Sequence, residues 1–334
     1  MENKISVIVA TYNQENTIGR TLDSILIQQC HIPYEIVIGE DCSTDSTRAV
    51  CEEYAKKYPD VIRLFANKKN KGLIDNYFDC LLACEGQYIA DCAGDDFWTD
   101  PLKLEKEVTI LEEHPDVTLV HTDWCRYNER SKTTIKSGKT AFTEPLTDGK
   151  QLLEAIIIQT HMPVIHLCTS MYRTDVIRKA MEEDEQMFRN KDFGCEDLQV
   201  AFVMAYQGTI AYIPESTLNY SQGEETISFS KNEKKQFQFV RRVSAQSYYL
   251  SQKYHIHSAA VDTYFQQRIF ALGMHAFRSY NTLLFQETQT CEKQWNVQRT
   301  PKTKFLFFIM SHQGLWSMAL AFRNVIVSLK RLFR

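Results

Sequence analysis

Two acidic segments of this chain carry side chains that could bind a cation. Asp41 follows one apolar run, and Asp95 and Asp96 follow another. Carboxylates just beyond the C-terminal ends of strands in an open α/β sheet point into the crevice where such sheets bind ligands. Because two carboxylates at that depth repel one another, they predict a cation or a hydrogen-bonding ligand between them. A nucleoside diphosphate held through a divalent metal meets that need.

The adjacent pair Asp95 and Asp96 is the strongest local signal. Hard oxygen ligands suit Mg²⁺ or Mn²⁺, and one or two carboxylates plus phosphate oxygens usually hold Mg²⁺. The pair could instead form a turn and cap the helix that follows. Asp100 and Pro101 already supply an N-cap and a proline in the first helical position. The pair therefore predicts a metal site.

The first predicted strand ends in Thr11, Tyr12 and Asn13, with no glycine-rich phosphate loop. This turn argues against a dinucleotide or P-loop site. Tyr12 could stack on a base, which is worth about 1–3 kcal/mol, and Asp41 could accept a hydrogen bond from a pyrimidine imide. Either residue alone is more often a packing or turn residue. Together, at adjacent strand ends, they predict a nucleotide site.

A third acidic pair, Glu196 and Asp197, precedes an apolar helix that begins at Leu198. Acidic residues are common at helix N-termini because the helix dipole favours them, and spacing alone favours that interpretation. Beside a nucleotide site, the pair could also deprotonate an acceptor hydroxyl. Two other titratable residues, His161 and His166, are interpreted as structural.

Strands and helices alternate through the first half of the chain and must position these residues. The spacing of apolar residues predicts strands over 5–10, 34–38, 61–65, 88–90, 117–121 and 165–172, and helices over 16–27, 46–58, 76–84, 100–114 and 198–206. This alternation predicts a parallel sheet covered by helices on both faces. A change in composition near residue 230 separates a domain over 1–230 from a helical region over 231–334.

Composition limits the class of protein. The chain has 334 residues, of which 44% are hydrophobic and 24% charged, so disordered and collagen-like classes are excluded. Its ten cysteines are scattered without a CxxC pair, which favours a reducing compartment over a disulfide framework. The short apolar run near the N-terminus does not resemble a signal peptide. We therefore expect a cytoplasmic protein.

Charge is unevenly distributed. Residues 301–334 hold six Lys or Arg and no Asp or Glu, which leaves a net charge of −10 on the first 300 residues. Arg323 interrupts the apolar stretch from Leu315 to Arg334, which disfavours a membrane-spanning helix. An in-plane helix on an anionic membrane surface fits this pattern. A helix packed on the protein's own body fits it as well, and both interpretations stay open.

Over about residues 4–230, the chain resembles family 2 glycosyltransferases of the nucleotide-sugar-binding GT-A fold. Five segments carry the resemblance: Val7–Ile18 (VIVATYNQENTI), Glu35–Thr47 (EIVIGEDCSTDST), Asn70–Asn76 (NKGLIDN), Gly86–Val108 (GQYIADCAGDDFWTDPLKLEKEV) and Cys195–Leu198 (CEDL). The resemblance implies an α/β GT-A fold with a mostly parallel central sheet, followed here by a helical C-terminal extension. It also implies an inverting, metal-dependent transfer of sugar to the hydroxyl of a glycan or lipid-linked acceptor in cell-surface polysaccharide or glycan assembly, without nucleic acid.

The resemblance assigns a role to each candidate residue. The donor is implied to be a nucleoside diphosphate sugar, and we expect a UDP-sugar. The residues implied to bind it are Thr11, Tyr12, Asn13, Asp41, Lys71, Asn76 and Asp95. Asp96, with Asp95, is implied to hold Mg²⁺ or Mn²⁺. Asp197 is implied to be the catalytic base, with Glu196 beside it.

The chain departs from the family pattern at three points. Ala93 occupies the first acidic position of the DxDD pattern, and Tyr220–Gly223 stands where the family has Tyr-Arg-x-His. The absence of a QxxRW motif favours a single addition over processive polymerisation. The first two departures keep a second hypothesis open, a nucleotide-sugar binding protein that has lost catalysis. A metal-dependent hydrolase ranks third because the expected histidine-rich ligand set is missing.

Overall fold

The structure is a computed structural model that describes residues 1–136, 144–160, 165–223 and 230–332, with backbone alone from residue 324 onward. His161 and the end of the basic tail therefore lie outside the described side chains. The described residues form two compact units, 1–191 with 195–223, and 192–194 with the residues from 230 onward. The sequence places the domain boundary at residue 230 and does not anticipate the short segment 192–194.

The first unit is a mixed α/β structure. Its strands are β1 (Glu2–Thr11), β2 (Tyr34–Glu40), β3 (Ile62–Ala66), β4 (Gly86–Asp91), β5 (Phe97–Trp98), β6 (Val117–Asn128), β7 (Thr133–Lys136), β8 (Leu146–Asp148), β9 (Ser170–Arg173) and β10 (Thr209–Gln222). Its helices are α1 (Ile18–Leu26), α2 (Thr47–Lys57), α3 (Leu73–Ala83), α4 (Lys103–Glu113), α5 (Leu153–Ile157), α6 (Thr174–Glu183), α7 (Glu185–Arg189) and α8 (Asp197–Gln207).

The ten strands of the described residues form one sheet. Eight of them follow the order β3-β2-β1-β4-β9-β6-β10-β5, while β7 pairs with β6 and β8 with β10. The pairs within β3-β2-β1-β4 are parallel, as is the pair β6–β10, whereas β9 is antiparallel to both neighbours. The predicted GT-A-type fold with a mostly parallel central sheet is thus confirmed.

Strand β1 shows why the apolar runs form the centre of this sheet. Val7, Ile8 and Val9 are all fully buried, so both faces of the strand are covered, as expected for a parallel strand between two helical layers. Parallel register aligns Thr11 with Glu40, and Ile8 with Asp91. The C-terminal ends of β1, β2 and β4 therefore meet at one edge of the sheet.

Two sequence predictions were wrong in detail. Helix α4 begins at Lys103 rather than at Pro101, because the Asp100 carboxylate accepts a hydrogen bond from the Leu102 N–H at 2.9 Å and forms a separate turn first. The strand predicted over 165–172 is reduced to β9, because residues Leu167–Thr169 form a 3₁₀ turn. That turn proves central to the candidate site.

The second unit is helical in its described residues, as its composition predicts. Its helices are α9 (Glu233–Lys253), α10 (Ala259–Arg278), α11 (Thr282–Gln294), α12 (Pro301–Met310) and α13 (Gln313–Leu332). The N-termini of the first four helices are capped by side chains, those of Asn232, Ser258, Asn281 and Thr300. Within the described part of the chain, no single helix is long and apolar enough to cross a membrane. Two successive segments reach the required length and apolar composition only when taken together. They are Pro301–Met310 and Gln313–Arg323, with a bend of 109° between them.

Candidate active site

The turn after β1 presents an aromatic side chain at the edge of the sheet. Asn13 has a φ of 53°, and its side-chain oxygen accepts a hydrogen bond from the Thr44 N–H at 2.8 Å, while its own N–H donates to Ser43. These bonds tie the turn to the segment after β2. The ring of Tyr12 is 45% exposed, which leaves it available for stacking, whereas Thr11 is buried.

Asp41 is almost fully buried, and its carboxylate is engaged by the protein. It accepts hydrogen bonds from the backbone N–H groups of Lys71 (2.8 Å) and Gly72 (2.9 Å) and from the Asn67 side chain (3.0 Å). The sequence predicts that Asp41 contacts the edge of a base. In the protein alone this carboxylate also organises the loop 67–72, because it accepts hydrogen bonds from three donors of that loop.

Asn76 and Lys71 also have partners within the protein. Asn76 is buried, its amide group donates to the Gly39 carbonyl at 2.8 Å, and its side-chain oxygen accepts from Asn67 at 2.8 Å. The sequence predicts a nucleotide contact for Asn76, and in the protein alone its amide joins β2 to the Asn67 side chain of the loop. The Lys71 ammonium lies 2.8 Å from Asp79, so it needs to exchange that partner before it can approach a pyrophosphate.

The carboxyl groups of Asp95 and Asp96 lie in a site shielded from water. Asp96 is 2% exposed, and its carboxylate accepts a hydrogen bond from the Ser221 N–H at 2.8 Å. Burial raises the pKa of Asp95, and burial together with the charge of Asp95 raises the pKa of Asp96 well above its usual range. Two adjacent carboxyl groups of raised pKa are a site where a cation would be stabilised.

Arg20 of α1 holds this acidic segment in place, and sequence reasoning missed it. Its guanidinium donates to the Asp95 carbonyl at 2.9 Å, pairs with Glu129 at 2.7 Å and lies 4.1 Å above the Phe97 ring. Partial burial would raise the pKa of Glu129, but hydrogen bonds from Arg20 and Lys132 lower it to about 2. No sequence signal marked Arg20, because its partners lie 75 and 109 residues away.

Glu196 and Asp197 begin α8 and face different surroundings. The Asp197 carboxylate accepts a hydrogen bond from the Leu167 N–H at 2.8 Å. One carboxyl oxygen of Glu196 is buried without a hydrogen-bond partner. Burial and the nearby charge of Asp197 raise the pKa of Glu196 to about 8. At neutral pH the protonated form of Glu196 is therefore favoured.

The 3₁₀ turn Leu167–Thr169 joins the two acidic sites. Its Leu167 N–H binds Asp197, and the Cys168 sulfur accepts a hydrogen bond from the Ala93 N–H at 3.2 Å, two residues before Asp95. The charge of Asp197 also contributes to the raised pKa of Asp96. The structure thus brings together the acidic segment after β4 and the start of α8, which lie about a hundred residues apart in the sequence.

An aromatic cluster of Trp124, His166 and Tyr220 lies beside Asp197. The His166 ring stacks on Tyr220 with centroids 5.1 Å apart and meets Trp124 edge-on at 4.8 Å. Burial lowers the pKa of His166, so the ring is neutral at physiological pH, although the charge of Asp197 opposes the change. His166 directly precedes the turn that binds Asp197, which gives it a structural role at the site.

The residues present fit a hard divalent cation. Asp95 and Asp96 supply oxygen ligands only, and the charge of Asp95 raises the pKa of Asp96 even though the Ser221 N–H binds the Asp96 carboxylate. Ala93 offers no carboxylate in the position where the family pattern has one. The sequence segment Tyr220–Gly223, in which the family's Arg and His are missing, contacts Asp96 through the Ser221 main chain instead.

Comparisons with known proteins show the family of this chain. Residues 6–180 match the model of Glycosyl transferase family 2. An uncharacterized protein of Mycobacterium bovis is 43% identical over 115 residues, 34% of this chain and 33% of that protein, so the alignment spans about a third of the relative. An uncharacterized glycosyltransferase of Haemophilus influenzae is 27% identical over 325 residues, 95% of this chain and 94% of that protein.

Two solved structures show the same fold. The crystal structure of Staphylococcus aureus TarS residues 1–349 in complex with UDP-GlcNAc has a TM-score of 0.53 at 17% identity and covers 88% of this chain and 91% of that one. TarS is a poly(ribitol-phosphate) β-N-acetylglucosaminyltransferase. The mannosyltransferase PcManGT of Pyrobaculum calidifontis, in complex with GDP-Man and Mn²⁺, has a TM-score of 0.51 at 15% identity. This match covers 96% of this chain and 88% of that one.

Proposed function

This chain belongs to glycosyl transferase family 2, and we propose that it moves one sugar from a nucleoside diphosphate donor to an acceptor hydroxyl with inversion. The observation that carries the proposal is the turn Leu167–Thr169, through which the Asp95–Asp96 segment and Asp197 share one site. Sugar transfer needs the groups that hold the leaving diphosphate close to the base that deprotonates the attacking hydroxyl.

The base end of the donor would stack on the exposed ring of Tyr12. We propose a UDP-sugar as the donor, and the complex of TarS with UDP-GlcNAc supports this choice. The loop 67–72, held by Asp41, would approach the phosphates with its backbone. Asp41 would then serve nucleotide binding by shaping this loop as well as by any contact with the base.

Proton transfer would fall to Asp197. Its carboxylate would take the proton of the acceptor hydroxyl as the oxygen attacks the anomeric carbon, and the bond from that carbon to the diphosphate oxygen would break with its electron pair leaving on the diphosphate. Glu196 keeps its own proton, so it would not compete for that of the acceptor. Attack from the face opposite the leaving group gives inversion without a covalent intermediate.

Asp96, with Asp95, would hold Mg²⁺ or Mn²⁺. Such an ion neutralises the leaving diphosphate as a Lewis acid. The Mn²⁺ bound with GDP-Man in PcManGT supports divalent metal use on this fold. Ser221 and Arg20 would keep the two carboxylates in position whether or not the metal is bound, through the contacts described above.

We further propose that the acceptor is a glycan or a lipid-linked glycan in cell-surface polysaccharide assembly, by analogy with the poly(ribitol-phosphate) β-N-acetylglucosaminyltransferase TarS. The enzyme would work in the cytoplasm, on the inner face of the plasma membrane. Exposed apolar side chains on α12 and α13 support membrane contact: Phe305, Phe308, Leu315, Met318 and Phe322. Lys302, Lys304 and Arg323 accompany them, and the last 34 residues contain no acidic side chain.

The test of this function is sugar transfer and donor hydrolysis by the purified full chain. Labelled UDP-GlcNAc, UDP-glucose and UDP-galactose are incubated with Mn²⁺, and released UDP is measured. We expect Asp197→Asn to lower turnover at least about 10²-fold, because general-base catalysis contributes that much, while UDP binding by calorimetry is retained. Asp96→Asn should lose both activity and metal-dependent UDP binding.

Asp175→Asn is the matched control, because Asp175 also lies in the first turn of a helix but is exposed. This variant should keep wild-type turnover. Normal turnover in Asp197→Asn would show that the base assignment is wrong. Tight UDP-sugar binding without turnover in the wild type, across donors and metals, would favour the alternative of a binding protein that has lost catalysis.

A further inference from the structure

A second cluster of metal-ligating side chains lies outside the candidate active site, between the loop that precedes β2 and helix α4. The Cys30 sulfur, a ring nitrogen of His31 and a carboxylate oxygen of Glu105 all lie within 4.8 Å of one another. We propose that these three side chains bind a zinc ion, with Glu112 as the hydrogen-bond partner of the His31 ring.

The contacts of His31 assign separate functions to its two ring nitrogens. Nδ1 lies 2.8 Å from Glu105 Oε2, and Nε2 lies 3.1 Å from Glu112 Oε2. Metal-bound histidines almost always donate their other ring N–H to a carboxylate or carbonyl, which fixes the ring and its tautomer. Glu112 already occupies that second position, so Nδ1 is the nitrogen oriented toward the metal.

The chemistry of the donor set selects the metal. A thiolate, an imidazole and a carboxylate together suit Zn²⁺, whereas Mg²⁺ and Mn²⁺ prefer oxygen ligands alone. Zinc lies about 2.0–2.3 Å from such atoms, so the side chains need to close in by about one ångström. Those of His31, Glu105 and Glu112 are 49%, 37% and 40% exposed, which leaves them free to move and open to a cation from solvent. A water molecule would complete the tetrahedron.

The backbone around the cluster is already held in position. The Gln29 N–H donates to the Pro101 carbonyl at 2.9 Å, and the Gln28 side chain accepts from the Leu104 N–H at 3.1 Å. These bonds fix the 28–31 loop against the start of α4 before any metal binds. Glu105 and Glu112 lie seven residues apart on α4, about two turns, and so face the same loop.

The local charge also favours a cation. Two carboxylates face one imidazole, and its two ring nitrogens each lie within hydrogen-bond distance of one of them in the metal-free chain. The Cys30 thiol belongs to the same arrangement through its hydrogen bond with Glu105. A zinc ion would use all four residues and join the loop to α4.

The experiment uses the full chain after chelator treatment, titrated with ZnCl₂ in millimolar Mg²⁺ so that the oxygen-only site does not take up zinc. Calorimetry should show one zinc per chain. Co²⁺ in place of zinc should give a thiolate-to-cobalt charge-transfer band in the near ultraviolet. Cys30→Ser should abolish the band, and Glu112→Gln should weaken zinc binding by about 10–100-fold, the usual effect of losing such a partner.

Two control variants test the assignment. Glu113→Gln changes the next, exposed residue of α4, and Cys125→Ser removes another partly buried thiol; both should bind zinc and Co²⁺ as the wild type does. Circular dichroism confirms that each variant is folded. Absence of stoichiometric zinc binding, or a cobalt band that survives Cys30→Ser, would overturn the proposal. Neither result bears on sugar transfer, which Asp197→Asn and Asp96→Asn test separately.

Discussion

Polar side chains at the strand ends of this protein act first on its own backbone. Asp41 accepts two backbone N–H groups of the 67–72 loop, Asn13 binds the segment after β2, and Asp96 accepts the Ser221 N–H. Each of these residues is predicted to contact a ligand, and each also fixes a loop that the ligand would meet. A single substitution here changes loop geometry and ligand contact together.

We expect Asp41→Asn to lower the free energy of unfolding by about 1–3 kcal/mol, because an amide group must then face a backbone N–H and leave it unpaired. UDP affinity should fall with it, since the 67–72 loop loses its anchor. Urea unfolding and calorimetry measure the two effects. The exposed Asp60→Asn should change neither quantity. Wild-type stability in Asp41→Asn would refute this account of the loop.

Helix α4 connects the acidic segment to the core through a buried ion pair. The Lys103 ammonium lies 2.6 Å from Glu107, one turn later, and both side chains are fully buried. The same ammonium lies 4.6 Å from the centroid of the Trp98 ring, two residues after Asp96. Burial raises the pKa of Glu107 to about 7 despite the lysine. The pair therefore holds the start of α4 beside Trp98, at a considerable desolvation cost.

We predict that Lys103→Met destabilises the protein by about 3–5 kcal/mol, because it leaves a buried carboxyl group without its partner. Replacing both residues, as Lys103→Met with Glu107→Leu, should restore most of the loss. Lys106→Met on the same helix removes partly exposed ion pairs and should cost less than about 1 kcal/mol. Urea unfolding at pH 7 measures all three. Equal losses in the single and double variants would argue against this account of the pair.

At the scale of the whole molecule, the chain combines an α/β unit that carries the candidate site with a helical unit that ends in a basic segment. The second unit exposes aromatic side chains on α12 and α13, with Phe305 67% and Phe322 70% exposed. Exposed aromatic residues with basic neighbours suit the interface of an anionic bilayer. Contact with the membrane would keep the enzyme near a lipid-linked acceptor.

We expect the full chain to sediment with vesicles that contain phosphatidylglycerol and much less with phosphatidylcholine alone. Phe305→Ser combined with Phe308→Ser should weaken binding at least about tenfold, because two aromatic side chains no longer enter the interface. Leu283→Ser is the control, since Leu283 is 71% exposed but lies outside the basic segment. Equal binding by the double variant and the wild type would exclude α12 as the contact.

The sequence by itself determined the order of strands and helices from β1 to β4 and the positions of the acidic segments, but it did not predict β5, β7, β8 or β10. These features depend on local periodicity and polarity: Val7, Ile8 and Val9 form a buried strand, and Asp95 and Asp96 follow another. The parallel half of the sheet follows from this alternation. The resemblance of the same segments to one family then indicated which chemistry to expect.

Only the tertiary structure decided which residues meet. Arg20 reaches the Asp95 carbonyl, the Leu167 N–H binds Asp197, and Cys30 lies beside Glu105. In each case the partners are distant in sequence and are joined by a loop or a sheet crossing, which no local pattern encodes. The turn before β9 has the same cause, since Leu167 and Cys168 bind Asp197 and Ala93. The late start of α4 is local instead, because the Asp100 carboxylate binds the Leu102 N–H.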